Sequence, residues 1–167
     1  MIQNTLIRPA EETDIPTILD IVNHIILTTT ANYSYEPESL AERMDWFLKK
    51  RAANMPVIVA ELEGAAIGFG TYGPFRDKTG YRFTVEHSVY VHQDYHGRGI
   101  GRQLLEALIG MARQQGMHMM IAGIDTQNQG SVLFHQKLGF EQVAHFREVG
   151  FKFDQWLDLI FMQLCLG

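Results

Sequence analysis

Apolar positions along this chain recur with two periods, and the alternation between them lays out a string of short strands and amphipathic helices. A strand is predicted near Thr5 to Arg8. A helix follows, with Asp14 placed as its N-cap, Pro16 in the first turn, and Ile15, Ile18, Leu19 and Val22 at helical spacing. The polar, aromatic run "TTTANYSYEPES" leads into a second helix near Glu38 to Arg51. "PVIVAELEGAAIGFGTYG" reads as a hairpin turning at Glu63 and Gly64. A long strand is predicted from Tyr81 to Val91, then a helix to about Gln115 and a strand "MMIAGID". A helix from about Gln129 is stopped by Gly139, and two strands close the pattern around "EQVAHFREV" and "WLDLIFMQLCL". That order describes a mixed α/β domain with a mostly antiparallel first half and a β-α-β-α-β second half.

Composition narrows the picture. The 167 residues, 46% of them hydrophobic, suit one domain spanning 1–167, with no repeat, low-complexity tract or linker to divide it. Fourteen Lys and Arg against 19 Asp and Glu leave a net charge of −5, which argues against duplex nucleic acid or an anionic membrane as the main partner. Cys165 is the single cysteine, so no internal disulfide forms and a reducing cytoplasm is the expected compartment. The opening "MIQNTLIRPAEETD" lacks a basic region followed by an apolar run, and no membrane-length apolar run occurs.

The sharpest local signal is "HGRGIGRQLL", with Gly97, Gly99 and Gly101 at alternate positions just before a helix-forming run. A turn there sits at a helix N-terminus, where free N–H groups and the macrodipole favour an anion, and glycine lets the backbone approach a phosphate closely. Arg98, Arg102 and Arg113 against Glu106 make this window basic within an acidic protein. A tight turn with no ligand explains the glycines equally well when they are taken alone. Two other phosphate motifs fail: a dinucleotide fingerprint needs its third glycine where Arg102 stands, and a P-loop needs a lysine that is absent.

Strand, "HGRGIG", then helix resembles the pyrophosphate-binding segment of the GNAT superfamily of N-acetyltransferases, with His96 where arginine or glutamine is usual. "TVEHSVYV" (84–91), "NQGSVLFHQKLGF" (128–140) and "GFKFDQWLDLIFMQ" (150–163) extend the likeness to the phosphinothricin acetyltransferase branch. The resemblance implies a central twisted, mixed but mostly antiparallel sheet of about seven strands with four flanking helices, splayed to admit acetyl-CoA. It also implies that His96, Gly97, Arg98, Gly99, Ile100, Gly101 and Arg102 hold the pyrophosphate. Main-chain groups of Tyr90 and Val91 would hold the acetyl carbonyl and pantetheine, with Asn128 and Ser131 contributing from the later helix.

The chemistry can be argued apart from the family. Moving an acetyl group from a thioester to an amine requires a base for the amine, stabilisation of the oxyanion and an acid for the leaving thiolate. Alternation along the predicted strand puts Arg82, Thr84, Glu86, Ser88 and Tyr90 on one face and Phe83, Val85, His87, Val89 and Val91 on the other. Glu86 is a carboxylate in an apolar strand, whose burial would raise its pKa towards that of a general base. A simple ion pair with Arg82, about 13 Å along an extended strand, is out of reach. The resemblance gives Glu86 the same role and points to His135 as the acid, at a position where many of the superfamily carry tyrosine. A histidine packed on a helix face is the rival reading. His87 is expected in the core, and no histidine has metal-ligand spacing.

Arg76 and Arg82, each beside an aromatic residue, are candidates to clamp a polar or anionic amino acid, with Tyr33 of "ANYSYEP" added by the resemblance. Solvated loop charges are the plainer explanation of both arginines. The function expected is acetyl-CoA-dependent N-acetylation of a small amino acid of the phosphinothricin or methionine sulfoximine kind, by a homodimer with no metal. Another small amine or a peptide N-terminus is the alternative substrate. A non-catalytic acyl-CoA-binding module would need neither Glu86 nor His135.

Overall fold

The structure is a computed structural model and describes residues 5–167; residues 1–4, part of the stretch searched for an export signal, lie outside the described residues. Seven strands form one sheet in the order β1-β2-β3-β4-β5-β7-β6. They are β1 (Leu6–Pro9), β2 (Val57–Leu62), β3 (Ala65–Pro74), β4 (Thr84–Val91), β5 (Met119–Asp125), β6 (Glu141–Lys152) and β7 (Gln155–Cys165). The helices are α1 (Ile15–Thr28), α2 (Leu40–Ala52), α3 (Ile100–Gln114) and α4 (Gln129–Lys137). No helix among the described residues is long and apolar enough to cross a membrane.

Strand alternation builds two cores, one on each face of the sheet. Ile58 and Ala60 of β2 pack with α3 and α4, whereas Val57 and Val59 pack with α1 and α2. Local chemistry sets most boundaries as the pattern predicted. Glu63 and Gly64 both take left-handed φ values, +51° and +83°, the requirement of a tight two-residue hairpin turn. Ser39 caps α2 in a capping box with Glu42. Gly139, at φ +90°, follows α4. Asp14 does precede α1 but makes no cap, because Arg8 takes both its carboxylate oxygens at 2.8 and 2.9 Å.

One boundary differs in a way that matters. Thr79–Tyr81 close a 3₁₀ turn, with the N–H groups of Tyr81 and Arg82 bonded to the carbonyls of Lys78 and Thr79, so β4 begins at Thr84 rather than Tyr81. At the centre of the sheet, β4 and β5 form its one parallel pair, and they stay paired only at Thr84 with Met119, Val85 with Met120 and Glu86 with Ile121. Beyond that, residues 87–91 pair with β3 alone and 122–125 with β7 alone. The sheet is therefore open between His87 and Val91 on one side and Ala122 and Asp125 on the other.

Candidate active site

Two cavities, of about 650 and 660 Å³, meet at this opening and share His87, Val89, Val91, His96, Ser131 and His135 in their walls. The first reaches towards the loop after α1 and the β6–β7 turn, and the second towards the glycine turn.

The glycine turn answers to two demands. Gly97 and Gly99 have φ values of +75° and +77°, which other residues adopt only with strain, and Gly99 is the N-cap of α3 with no side chain capping it. Gly101 lies inside the helix and needs no such freedom. A Cβ there would come no closer than 3.8 Å to Val91, Phe134 or Val89, so it stands over the cavity wall and a side chain would fill the cavity rather than collide with the protein. The bare N-terminal amides of a 15-residue helix, with Arg98 and Arg102 exposed beside them, suit the diphosphate of a coenzyme A thioester. Arg98 lies over Tyr95, and Arg102 pairs with Glu106 at 2.8 Å. Ile100 begins the helix and is buried. Asn128 is the N-cap of α4 and accepts from the Ser131 N–H at 3.1 Å.

The register corrects the expectation for the main chain of β4. Phe75 N–H donates to the Thr84 carbonyl and His92 N–H to that of Ile67, so even-numbered residues of β4 bond towards β3, including Tyr90. The carbonyl of His87 and the main-chain groups of Val89 and Val91 face the opening, and of the two residues expected there only Val91 offers its backbone. His96 turns its ring back, Nε2 lying 2.8 Å from the Val91 carbonyl as donor.

Glu86 is half-buried on the opposite face of β4 from His87, and burial raises its carboxyl above the usual carboxylate range while the charge of Arg76 pulls it back. Gly123 of β5, which the sequence reading passed over, makes room for it: a Cβ there would stand 3.2 Å from Glu86 Oε1. His135 is buried, with Nδ1 2.7 Å from the Ser131 carbonyl and Nε2 3.0 Å from Nε2 of His87. Burial lowers the pKa of both rings, so the pair is neutral near pH 7. His87 is in the core as expected, yet it also lines both cavities.

Tyr33 donates to Asp125 at 2.5 Å, and its ring lies against Gly150, where a Cβ would meet it at 2.5 Å. Asp125, buried and lining the first cavity, carried no sequence signal. Buried Lys152 pins the segment that carries Tyr33, its ammonium donating to the carbonyls of Ile26, Thr29 and Asn32 at 2.6–2.8 Å. Arg82 does not share the strand face of Glu86. The 3₁₀ turn puts it before β4, exposed, with its guanidinium over Phe83 at 4.4 Å. Arg76 is exposed and stacks on Phe75 at 5.1 Å, and of the two arginines it is the one whose charge reaches Glu86. No cluster able to hold a metal ion occurs among the described residues.

A half-open sheet with an anion-binding helix turn beside the opening and a desolvated carboxylate at its closed end defines an acyl-transfer site. The chain belongs to the acetyltransferase (GNAT) family, whose model matches residues 19–140. Among its relatives is the L-amino acid N-acyltransferase MnaT of Escherichia coli (strain K12), 46% identical over 160 residues that cover 96% of this chain and 93% of the relative. The L-methionine sulfoximine/L-methionine sulfone acetyltransferase of Salmonella typhimurium is 43% identical, covering 96% and 94%. A phosphinothricin acetyltransferase from Sinorhizobium meliloti, solved in complex with acetyl-CoA, superposes with a TM-score of 0.95 at 37% identity, covering 100% of this chain and 90% of the other. The splayed seven-stranded fold expected from the sequence is therefore the fold observed.

Proposed function

We propose that this chain, acting as a single domain over 1–167, uses acetyl-CoA to acetylate the amino group of a small polar amino acid of the methionine sulfoximine or phosphinothricin kind. The observation that carries the reading is the opening between β4 and β5 with Glu86 on one side of it and the α3 turn at its end. Bound there, acetyl-CoA supplies an acetyl thioester. Its diphosphate would lie against the amides from Gly97 to Arg102, where Gly101 leaves the helix surface bare, and its pantetheine arm beside the Val91 backbone, Asn128 and Ser131. Glu86, raised by burial, takes the proton that makes the incoming ammonium a nucleophile, directly or through a water. The imidazoles of His87 and His135 serve the departing sulfur. Tyr33 and Arg76 would face the amino acid's polar groups, the guanidinium presenting paired donors to a carboxylate or phosphinate. The names of the relatives support this substrate class.

We also place the work in the cytoplasm and assign a homodimer. β6 is an edge strand whose Val143, Phe146 and Val149 are exposed, with Trp156 beyond them on β7, and a second copy would cover this apolar surface. Sedimentation as a monomer at micromolar concentration would refute the dimer.

The test of the function is release of coenzyme A thiol with a panel of amino acids and analogues, for wild type and Glu86→Gln. Turnover of methionine sulfoximine or phosphinothricin is expected, and the variant should lose roughly 10²- to 10⁴-fold in kcat with acetyl-CoA binding unchanged. An unaffected Glu86→Gln, or a panel without any accepted amine, overturns the reading.

A further inference from the structure

His87 is 8% exposed, stacks on His135 with ring centroids 5.1 Å apart, and meets Phe140 edge-on. Its hydrogen bonding follows by elimination. The Ser131 carbonyl oxygen can only accept, so His135 Nδ1, 2.7 Å away, carries a proton. The neutral His135 ring then has a lone pair on Nε2. His87 Nε2, 3.0 Å from it, must be the donor, because two lone pairs would repel. That leaves His87 Nδ1 as a bare acceptor, and among the described residues it is the one buried side-chain nitrogen or oxygen without a partner. An unpaired buried acceptor costs about 1–3 kcal/mol, a cost that calls for an explanation. Here it belongs to a ring standing where the two cavities meet.

We propose that His87 Nδ1 carries the proton on the leaving-group side of the transfer, and that His135, expected in that role, is the positioning residue that orients it. The proposal rests on the acetyl-transfer reading and deepens it. Glu86, on the other face of β4, first takes one proton from the ammonium and passes it to water. As the nitrogen–carbon bond forms, His87 Nδ1 accepts the second proton that the nitrogen sheds. As the carbon–sulfur bond breaks, His87 gives that proton to the sulfur, an S–H bond forms, and Nδ1 recovers its lone pair. Both nitrogens of His135 are engaged throughout, one by Ser131 and one by His87, in the manner of a base held by a third group.

The surroundings suit a transient carrier. Desolvation and the neighbouring ring of His135 lower the pKa of His87, so a proton placed there leaves readily for a thiolate. His135 on α4 is the titratable group within hydrogen-bond reach. Tyr72 stands opposite on β3 with its hydroxyl on Gln115 at 2.7 Å, Glu86 faces away, and His96, Arg102 and Lys137 line the wall of the second cavity.

The test joins nitrogen NMR of histidine-labelled protein without substrate to kinetics of two variants. Wild type should show His87 protonated on Nε2 and bare on Nδ1, His135 protonated on Nδ1, and a changed His87 Nδ1 resonance when coenzyme A is added. His87→Asn should lose about 10²- to 10⁴-fold in kcat with the KM for acetyl-CoA little changed. His135→Gln, whose amide oxygen can still accept from His87, should lose roughly tenfold. A protonated His87 Nδ1, or the opposite ranking of the two variants, overturns the assignment. The NMR measurement decides even if a variant fails to fold. A wild type inactive towards every amine would overturn the acetyl-transfer reading and this role with it, whereas an active wild type with His87 Nδ1 protonated overturns the role alone.

Discussion

Glu86 sets activity against stability in one side chain. Its folded pKa is raised by burial, so its stabilising contribution is complete below the unfolded pKa and is lost as pH rises through the folded value. At neutral pH the ionised carboxylate is therefore a burden on the fold, and Glu86→Gln should melt at a higher temperature than wild type. The gap should shrink as the buffer is taken towards acid pH, where wild-type Glu86 is itself neutral. Thermal melts across that range check it, and a variant less stable than wild type at neutral pH would show that the ionised form is held by partners after all. The same shift moves the acid limb of the rate profile above the range of an ordinary carboxylate.

At the scale of elements, the glycine turn separates conformation from access. Gly97 and Gly99 are tied to left-handed backbone, and substitution there mixes strain with any effect on a ligand. Gly101 is helical with room around it, so Gly101→Ala should stabilise α3 by roughly 0.5–1 kcal/mol while weakening acetyl-CoA binding. Calorimetry and a melt on the same sample measure both, and tighter binding would remove the diphosphate from this turn. Elements like these were legible in the sequence because their signals are local: the glycine spacing, Glu63-Gly64, and Gly139 after α4. The start of β4 was not, because β propensity at Tyr81 and Phe83 gives no warning of the turn closed by Lys78 and Thr79, and the placement of Arg82 failed with it. Glu86 and the α3 turn could be read one segment at a time. The closeness of Gly123 to Glu86 and the contact of His87 with His135 across 48 residues exist only once β5 and α4 are packed.

For the molecule as a whole, about half of the contacts are long-range and the two cores lie on opposite faces of a single sheet. That sheet is continuous through β4 and β5 only at three residue pairs. Mechanically, this is a short joint between two stiff plates, β1 to β4 and β5 to β7. Amide hydrogens of Val89 and Val91 look out from one plate with no strand across from them, so in the free protein they should exchange with solvent faster than their neighbours bonded to β3. A pantetheine arm carries amides of its own and would stand in for the missing strand. Hydrogen exchange at these two positions should therefore slow when acetyl-CoA is added, while Ser88 and Tyr90 change little. Equal protection across 88–91, or none, would place the arm elsewhere. A ligand lying there completes the sheet, so each turnover would make and then remove the bracing between the plates, and release of the product coenzyme would return the molecule to its looser form.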